Sequence, residues 1–239
     1  MIFSCKKEES TTNDTPSNDC IIYSKDSSGS KVSSEHFINS NGKLVKIEYS
    51  DSLPEDVYYK YSGNMVIRMN YVNEEKGRYV LSSNSYAIRL TEKHNDYIDT
   101  TEFEYDAEGY LIKSTWYSGS TIGCSYSNNQ YSGGNLIKTV YTSNGSQDSS
   151  IVSYEYYLDK ESKNFINGQF GQKEWFFYGK RLKNLVKKKT FVYYLEGSVF
   201  RTEVIEFIYE LNDKGYVSKK TDVLSSGHKR IYTYQYSCD

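Results

Sequence analysis

The feature that most constrains this chain is a recurring phrase: an aromatic, a spacer, a second aromatic, a turn holding glycine, then an aliphatic run that carries lysine or arginine. The clearest copies are Phe103, Tyr105, Gly109, Leu111 and Lys113, and Phe207, Tyr209, Gly215, Val217 and Lys219. Looser copies run from Tyr59 and Tyr61 through Gly63 to Met65 and Arg68, and from Tyr126 through Gly134 to Leu136 and Lys138. Successive side chains of a strand point to opposite faces, so Phe103 and Tyr105 share one side while Glu102 and Glu104 share the other. The same alternation runs through Val45 to Tyr49 and Ile231 to Tyr236. One face is built for burial and one for water, the pattern of antiparallel sheets. Asn41-Gly42, Asn144-Gly145 and Lys214-Gly215 place glycine where a hairpin needs a positive φ. The expected fold is all-β, a large antiparallel meander of successive hairpins.

Composition supports one large β domain. The chain has 239 residues, and its two prolines, Pro16 and Pro54, both lie in the first quarter, so no Pro-rich linker divides the middle. We expect a single domain over 20–239, preceded by a polar segment over 1–19. The 26 tyrosines outnumber the 10 phenylalanines, so much of the buried face must come from rings whose polar tip needs a partner. Helical periodicity is nearly absent; only Lys183 to Lys189 is ambiguous.

The amino-terminal stretch bears on location. Ser4-Cys5 followed by Lys6 looks like the end of a bacterial lipoprotein signal, in which the cysteine is acylated, and Lys6 to Asp19 is too polar to order itself. Cys5 is therefore the expected lipidation site, holding the domain at the outer membrane or cell surface without spanning it. No run approaches the roughly twenty apolar residues that a membrane helix needs. A membrane barrel is disfavoured because Lys46, Glu48, Glu102, Glu104, Lys113 and Lys138 occupy the face opposite the rings.

The lipobox-like Ser4-Cys5, the polar tether and the repeated aromatic, glycine, aliphatic-lysine units resemble uncharacterised lipoproteins of Bacteroides-type gut bacteria with a porin-like fold. The units are also similar to the tyrosine-aspartate repeats of Rhs-type proteins, most clearly at Tyr105-Asp106. The resemblance implies a many-stranded sheet rolled into an open or closed barrel, and no known activity. If such a barrel closes through its first and last strands, Cys20 and Cys238 would meet, and a disulfide between them is expected in an oxidising compartment. Cys124 reads as a small core residue.

Chemistry-bearing motifs are scarce. The three histidines, His36, His94 and His228, are scattered, and no paired-cysteine, metalloprotease, nucleophile-elbow or phosphate-loop motif occurs, so no metal, cofactor or catalytic residue is assigned. Glu102 and Glu104 share a strand face, but alternating acids on a solvated face account for them. With 29 basic and 31 acidic residues the chain has no general affinity for nucleic acid, and the basic run from Lys180 to Lys189 reads as a solvated strand edge. Adjacent rings such as Trp175 to Tyr178 and Trp116-Tyr117 must occupy both faces of a strand. Trp175, Tyr178 and Trp116 are accordingly the candidate stacking surfaces of a non-enzymatic binding module, for a glycan or a surface protein. A structural scaffold without a small-molecule ligand is the alternative, and a glycan-active enzyme the third reading.

Overall fold

The computed structural model describes residues 21–26, 33–40, 43–49, 56–120, 123–163 and 177–237. Cys5, Cys20, Trp175 and Cys238 lie outside the described residues. Sixteen strands follow in order: β1 (Ile21–Asp26), β2 (Ser33–Ser40), β3 (Lys43–Tyr49), β4 (Val57–Ser62), β5 (Met65–Met69), β6 (Glu75–Leu81), β7 (Ala87–Lys93) and β8 (Ile98–Tyr105), then β9 (Leu111–Tyr117), β10 (Cys124–Ser132), β11 (Asn135–Ser143), β12 (Ser149–Glu161), β13 (Asn184–Leu195), β14 (Ser198–Leu211), β15 (Val217–Leu224) and β16 (Lys229–Ser237). Each pairs antiparallel with its sequence neighbours, and β1 pairs with β16 from Ile21↔Ser237 to Asp26↔Tyr232, so the meander closes on itself as a barrel. No α-helix occurs among the described residues, and the ambiguous run lies in strand β13 from Asn184 onward.

The repeated phrase has a specific mechanical meaning. In the β8–β9 turn, Asp106 Oδ1 accepts from the amides of Glu108 and Tyr110 at 3.0 and 2.9 Å, and Gly109 takes φ 91°. Asn212 does the same for Lys214 and Tyr216 at 3.1 and 2.9 Å, with Gly215 at φ 78°. A short polar side chain thus satisfies the turn amides while glycine absorbs the left-handed residue. The aliphatic pair after the turn encodes a β-bulge. Tyr105 faces Leu111 but Glu104 faces Lys113, so Ile112 is the extra residue. Val45, Ile88, Ile137 and Ser218 are skipped in the same way in four other hairpins, and Lys187 in the β12–β13 pair. Each bulge turns the following side chain to the opposite face and increases local twist.

Tyrosine locks these bulges together. The hydroxyls of Tyr61, Tyr105, Tyr131 and Tyr156 donate to the carbonyls of Leu44, Ala87, Leu111 and Leu136, at 2.9, 2.7, 3.0 and 2.5 Å. Every acceptor is the residue just before a bulge in the preceding hairpin. A phenol tip therefore finds its partner next door, which is how the barrel accommodates so many tyrosines in place of phenylalanines. Each such bond contributes about 1 kcal/mol net.

The interior has two unlike halves. Nearest the glycine turns, Leu44, Ile47, Tyr59, Val66, Tyr79, Leu90, Phe103 and Leu111 form one buried cluster, and Leu136, Val152, Tyr154, Leu185, Phe207, Tyr209 and Val217 form another. The connection from β12 to β13 crosses this end: Phe177 and Tyr178 join the first cluster, Leu182 joins the second, and Gly179 pairs with Tyr110. Lys180 N–H donates to the Gly109 carbonyl at 2.7 Å and Lys183 N–H to that of Gly134 at 2.9 Å. Residues 177–183 act as a strap over this packed half. Outside, exposed cross-strand pairs such as Arg89–Glu102, Lys113–Glu104, Lys188–Glu155 and Lys219–Glu210 stud the wall.

Candidate functional site

At the end away from the strap, the inward face changes from aliphatic to aromatic and charged. The densest group sits on β12–β16. Register places Lys189 beside Tyr154 and Ile205, Asp222 beside Phe207 and Arg230, and Lys220 beside Tyr209 and Tyr232, all on the inner face. Lys189 Nζ lies 5.5 Å from the Tyr154 ring centre and 5.7 Å from that of Phe207. Lys220 Nζ approaches the same Phe207 ring at 5.5 Å and Tyr232 at 4.4 Å, and its ammonium is 3.2 Å from Asp222 Oδ1. Two cations and an acid therefore share one aromatic enclosure. Exposure rises from Lys220 and Asp222, with side chains 14% and 12% exposed, through half-buried Phe191 and Tyr193, to exposed Arg201 and Arg230. Exposure thus increases along the inner face away from the lysines.

The electrostatics follow from that enclosure. Burial pushes the Lys189 ammonium down to about 8, Lys220 pushes it further in the same direction, and Asp222 opposes both. The Asp222 carboxyl is raised by burial against the pull of Lys220, Lys189 and Arg230. Near the outer opening Arg201 pairs with Glu203, and Phe191 stacks on Tyr193 with ring centres 6.4 Å apart. The β5–β8 wall is built differently. Arg68, Gly77 and Glu92 face one another across three strands, and the missing side chain of Gly77 lets Arg68 reach Glu92 at 2.8 Å. Beyond them Asp99, buried, accepts from the Gly119 amide at 2.9 Å and lies 3.2 Å from His94 Nε2.

The proposed stacking residues separate. Trp116 faces inward beside Thr101 and Ser125 at the open end, 38% exposed. Tyr178 is 3% exposed, with its ring 5.0 Å from Phe103 and 6.4 Å from Tyr79, so it offers no surface and belongs to the packed half. Packing along the strap, not exposure, explains that run of adjacent aromatics at Tyr178. Glu102 and Glu104 are outward and paired with Arg89 and Lys113. The basic run disperses: Lys188 faces out to Glu155 at 3.0 Å, Lys180 lies over Tyr110, and Lys189 turns inward. The run is no strand edge, because β13 pairs with both β12 and β14, and Lys189 turns away from solvent as well. Cys124 is half-buried, its sulfur 2.7 Å from the Tyr126 hydroxyl. Among the described residues no group of three acidic, histidine or cysteine side chains could hold a metal ion.

Lys220 and Asp222 went unseen in the sequence, and Lys189 entered only as a member of the basic run. The available signal was a lysine two residues before Phe191 and four before Tyr193, on the parity of the ring-bearing face. No family model and no curated protein matches the chain. Among solved structures, a porin-like protein from Bacteroides uniformis ATCC 8492 superposes with TM-score 0.67 at 15% identity, covering 91% of this chain and 97% of that one. A porin-like protein from Bacteroides vulgatus ATCC 8482 gives TM-score 0.65 at 13% identity, over 89% and 97% of the two chains. At such identities the likeness establishes the fold alone, a porin-like barrel.

Proposed function

We propose that this chain is an extracytoplasmic binding module, tethered by lipid at Cys5, that receives its ligand in the open end of the barrel and conducts nothing. The observation that carries this reading is the asymmetry of the interior: one half is packed and strapped, the other is lined by rings and charges whose exposure rises toward the rim. The outer wall supports a barrel standing in water. A lysine or arginine on a lipid-facing strand costs about 2–4 kcal/mol at mid-membrane, and ion pairs such as Arg89–Glu102 and Lys113–Glu104 stud this wall. Trp116, Tyr141, Tyr193 and Tyr232 on the inner face provide stacking surfaces suited to a glycan.

Two experiments test the proposal. In planar bilayers the purified chain is expected to give no single-channel steps, and stable conductance would refute it. On a glycan array the barrel is expected to bind a restricted set of glycans with loss on Trp116→Ala. A scaffold without a small-molecule ligand is the second reading, favoured by tyrosines that bond mainly to neighbouring hairpins. An array without any binding would favour it.

A further inference from the structure

We infer that the ligand is a carboxylate-bearing sugar, its acid group held between Lys189 and Lys220 and its ring laid on the surrounding aromatics; this rests on the binding-module reading above. Three facts converge. The first is charge. Among the described residues of this wall, Lys189, Lys220 and Arg230 converge on one acid, Asp222. Like charges enclosed together repel more strongly than they would in water, and an incoming anion relieves that repulsion. The second is geometry. Both ammonium groups approach one ring, Phe207, at 5.7 and 5.5 Å, so they flank the same patch of inner wall and an anion seated over that ring faces both. Lysine offers rotatable point-charge donors that suit a carboxylate without demanding a forked geometry.

The third fact is the lining. Phe191, Tyr193 and Tyr232 share the inner face with Glu203, Arg201 and Ser150. Rings accept the C–H faces of a sugar while carboxylate, guanidinium and hydroxyl groups meet its hydroxyls. A sugar acid satisfies both kinds of lining at once.

The test uses the whole chain with carbon-13 at the lysine Cε, titrated by NMR with glucuronate and galacturonate, with glucose and galactose, and with acetate. The uronates are expected to shift the Lys189 and Lys220 signals at concentrations about tenfold below those needed for the neutral sugars, the worth of one charge-assisted hydrogen bond. Lys220→Gln is expected to abolish that preference. So is Lys189→Met, which keeps the apolar stem between Tyr154 and Phe207. Neutral sugars acting as well as uronates would overturn the acid assignment and leave the binding module standing. Acetate acting as well as uronates would overturn the sugar. No response to any sugar would overturn both this inference and the reading beneath it.

Discussion

Lys189→Met should stabilise the barrel at neutral pH, and the gain should fade as pH rises. The folded ammonium titrates near 8 against an ordinary 10.5. At about 1.36 kcal/mol per unit, holding its proton below pH 8 costs the folded state up to about 3 kcal/mol. Cation–π contacts at 5.5 and 5.7 Å sit near the outer limit of that interaction, where each returns about 0.5 kcal/mol and so does not reverse the sign. For a lysine with a lowered folded value, the unfolded chain binds more protons between the two values, so stability rises with pH through that window. The penalty is complete below pH 8 and gone above 10.5. Denaturant titrations of both proteins should therefore show the variant ahead by about 1–3 kcal/mol at pH 7, with the difference reduced to about 1 kcal/mol or less at pH 10. The nearby exposed Arg201 and Arg230 mark a boundary with solvent that trims the figure, so 3 kcal/mol is a ceiling. A variant less stable at pH 7, or ahead by the same amount at every pH, would refute the enclosed cation.

Tyr105→Phe strips the bond to the Ala87 carbonyl and should lower unfolding free energy by about 1–2 kcal/mol, whereas Tyr131→Phe should cost less, because Asn129 Nδ2 also donates to Leu111 at 2.9 Å; equal losses would count against that sharing. Gly179→Ala would put a Cβ 2.5 Å from the Gly109 carbonyl oxygen at φ 83°, so a loss above about 2 kcal/mol and a changed near-ultraviolet circular dichroism spectrum are expected; a silent substitution would show that the strap does not seat as described. Burial pushes Tyr105, Tyr154, Tyr156 and Tyr209 above the ordinary phenol value, so stability is intact below pH 10 and is lost as pH rises beyond it, with these tyrosines ionising at 295 nm only as the barrel unfolds. Ile21 pairs with Ser237, and Cys20 and Cys238 are the next residues in sequence; non-reducing peptide mapping should recover them linked, and two free thiols would sink the bridge.

The hairpin architecture was legible because alternation, glycine and a short polar turn residue are all local. Strict alternation nevertheless misplaces side chains after each turn. Counting by twos from Leu111 puts Lys113 on the buried face, and from Val217 it puts Lys219 inside and Lys220 outside. The bulges at Ile112 and Ser218 reverse this, pairing Lys113 with Glu104 outside and sending Lys220 inward. The aliphatic pair that precedes lysine in the repeat is the mark of the bulge, and its meaning emerges only once the two strands are aligned. Tyr178 failed as a candidate for another reason. Its burial depends on a strap meeting strands 75 and 99 residues away in sequence, at Phe103 and Tyr79, and no local pattern records such a meeting.

A repeat that satisfies its own polar groups makes departures from it informative. The turns bond to their own aspartate or asparagine, the bulges receive tyrosine hydroxyls, and the exposed charges pair across strands. Inner-face positions of the packed half hold apolar or aromatic groups, or polar ones bonded in pairs such as Asn129 with Thr139 at 2.8 Å. Lys189, Lys220 and Asp222 instead bring three charges together on β13 and β15, among the rings of the inner face. Leucine or phenylalanine at these positions would continue the aromatic lining without a desolvation cost. Local violations of an otherwise consistent design concentrate where function is served at the expense of stability. The same lysine that weakens the barrel at neutral pH is thus the group best placed to recognise an anion, and a stabilised Lys189→Met barrel that no longer discriminates uronate from neutral sugar would display both sides of that exchange in one protein.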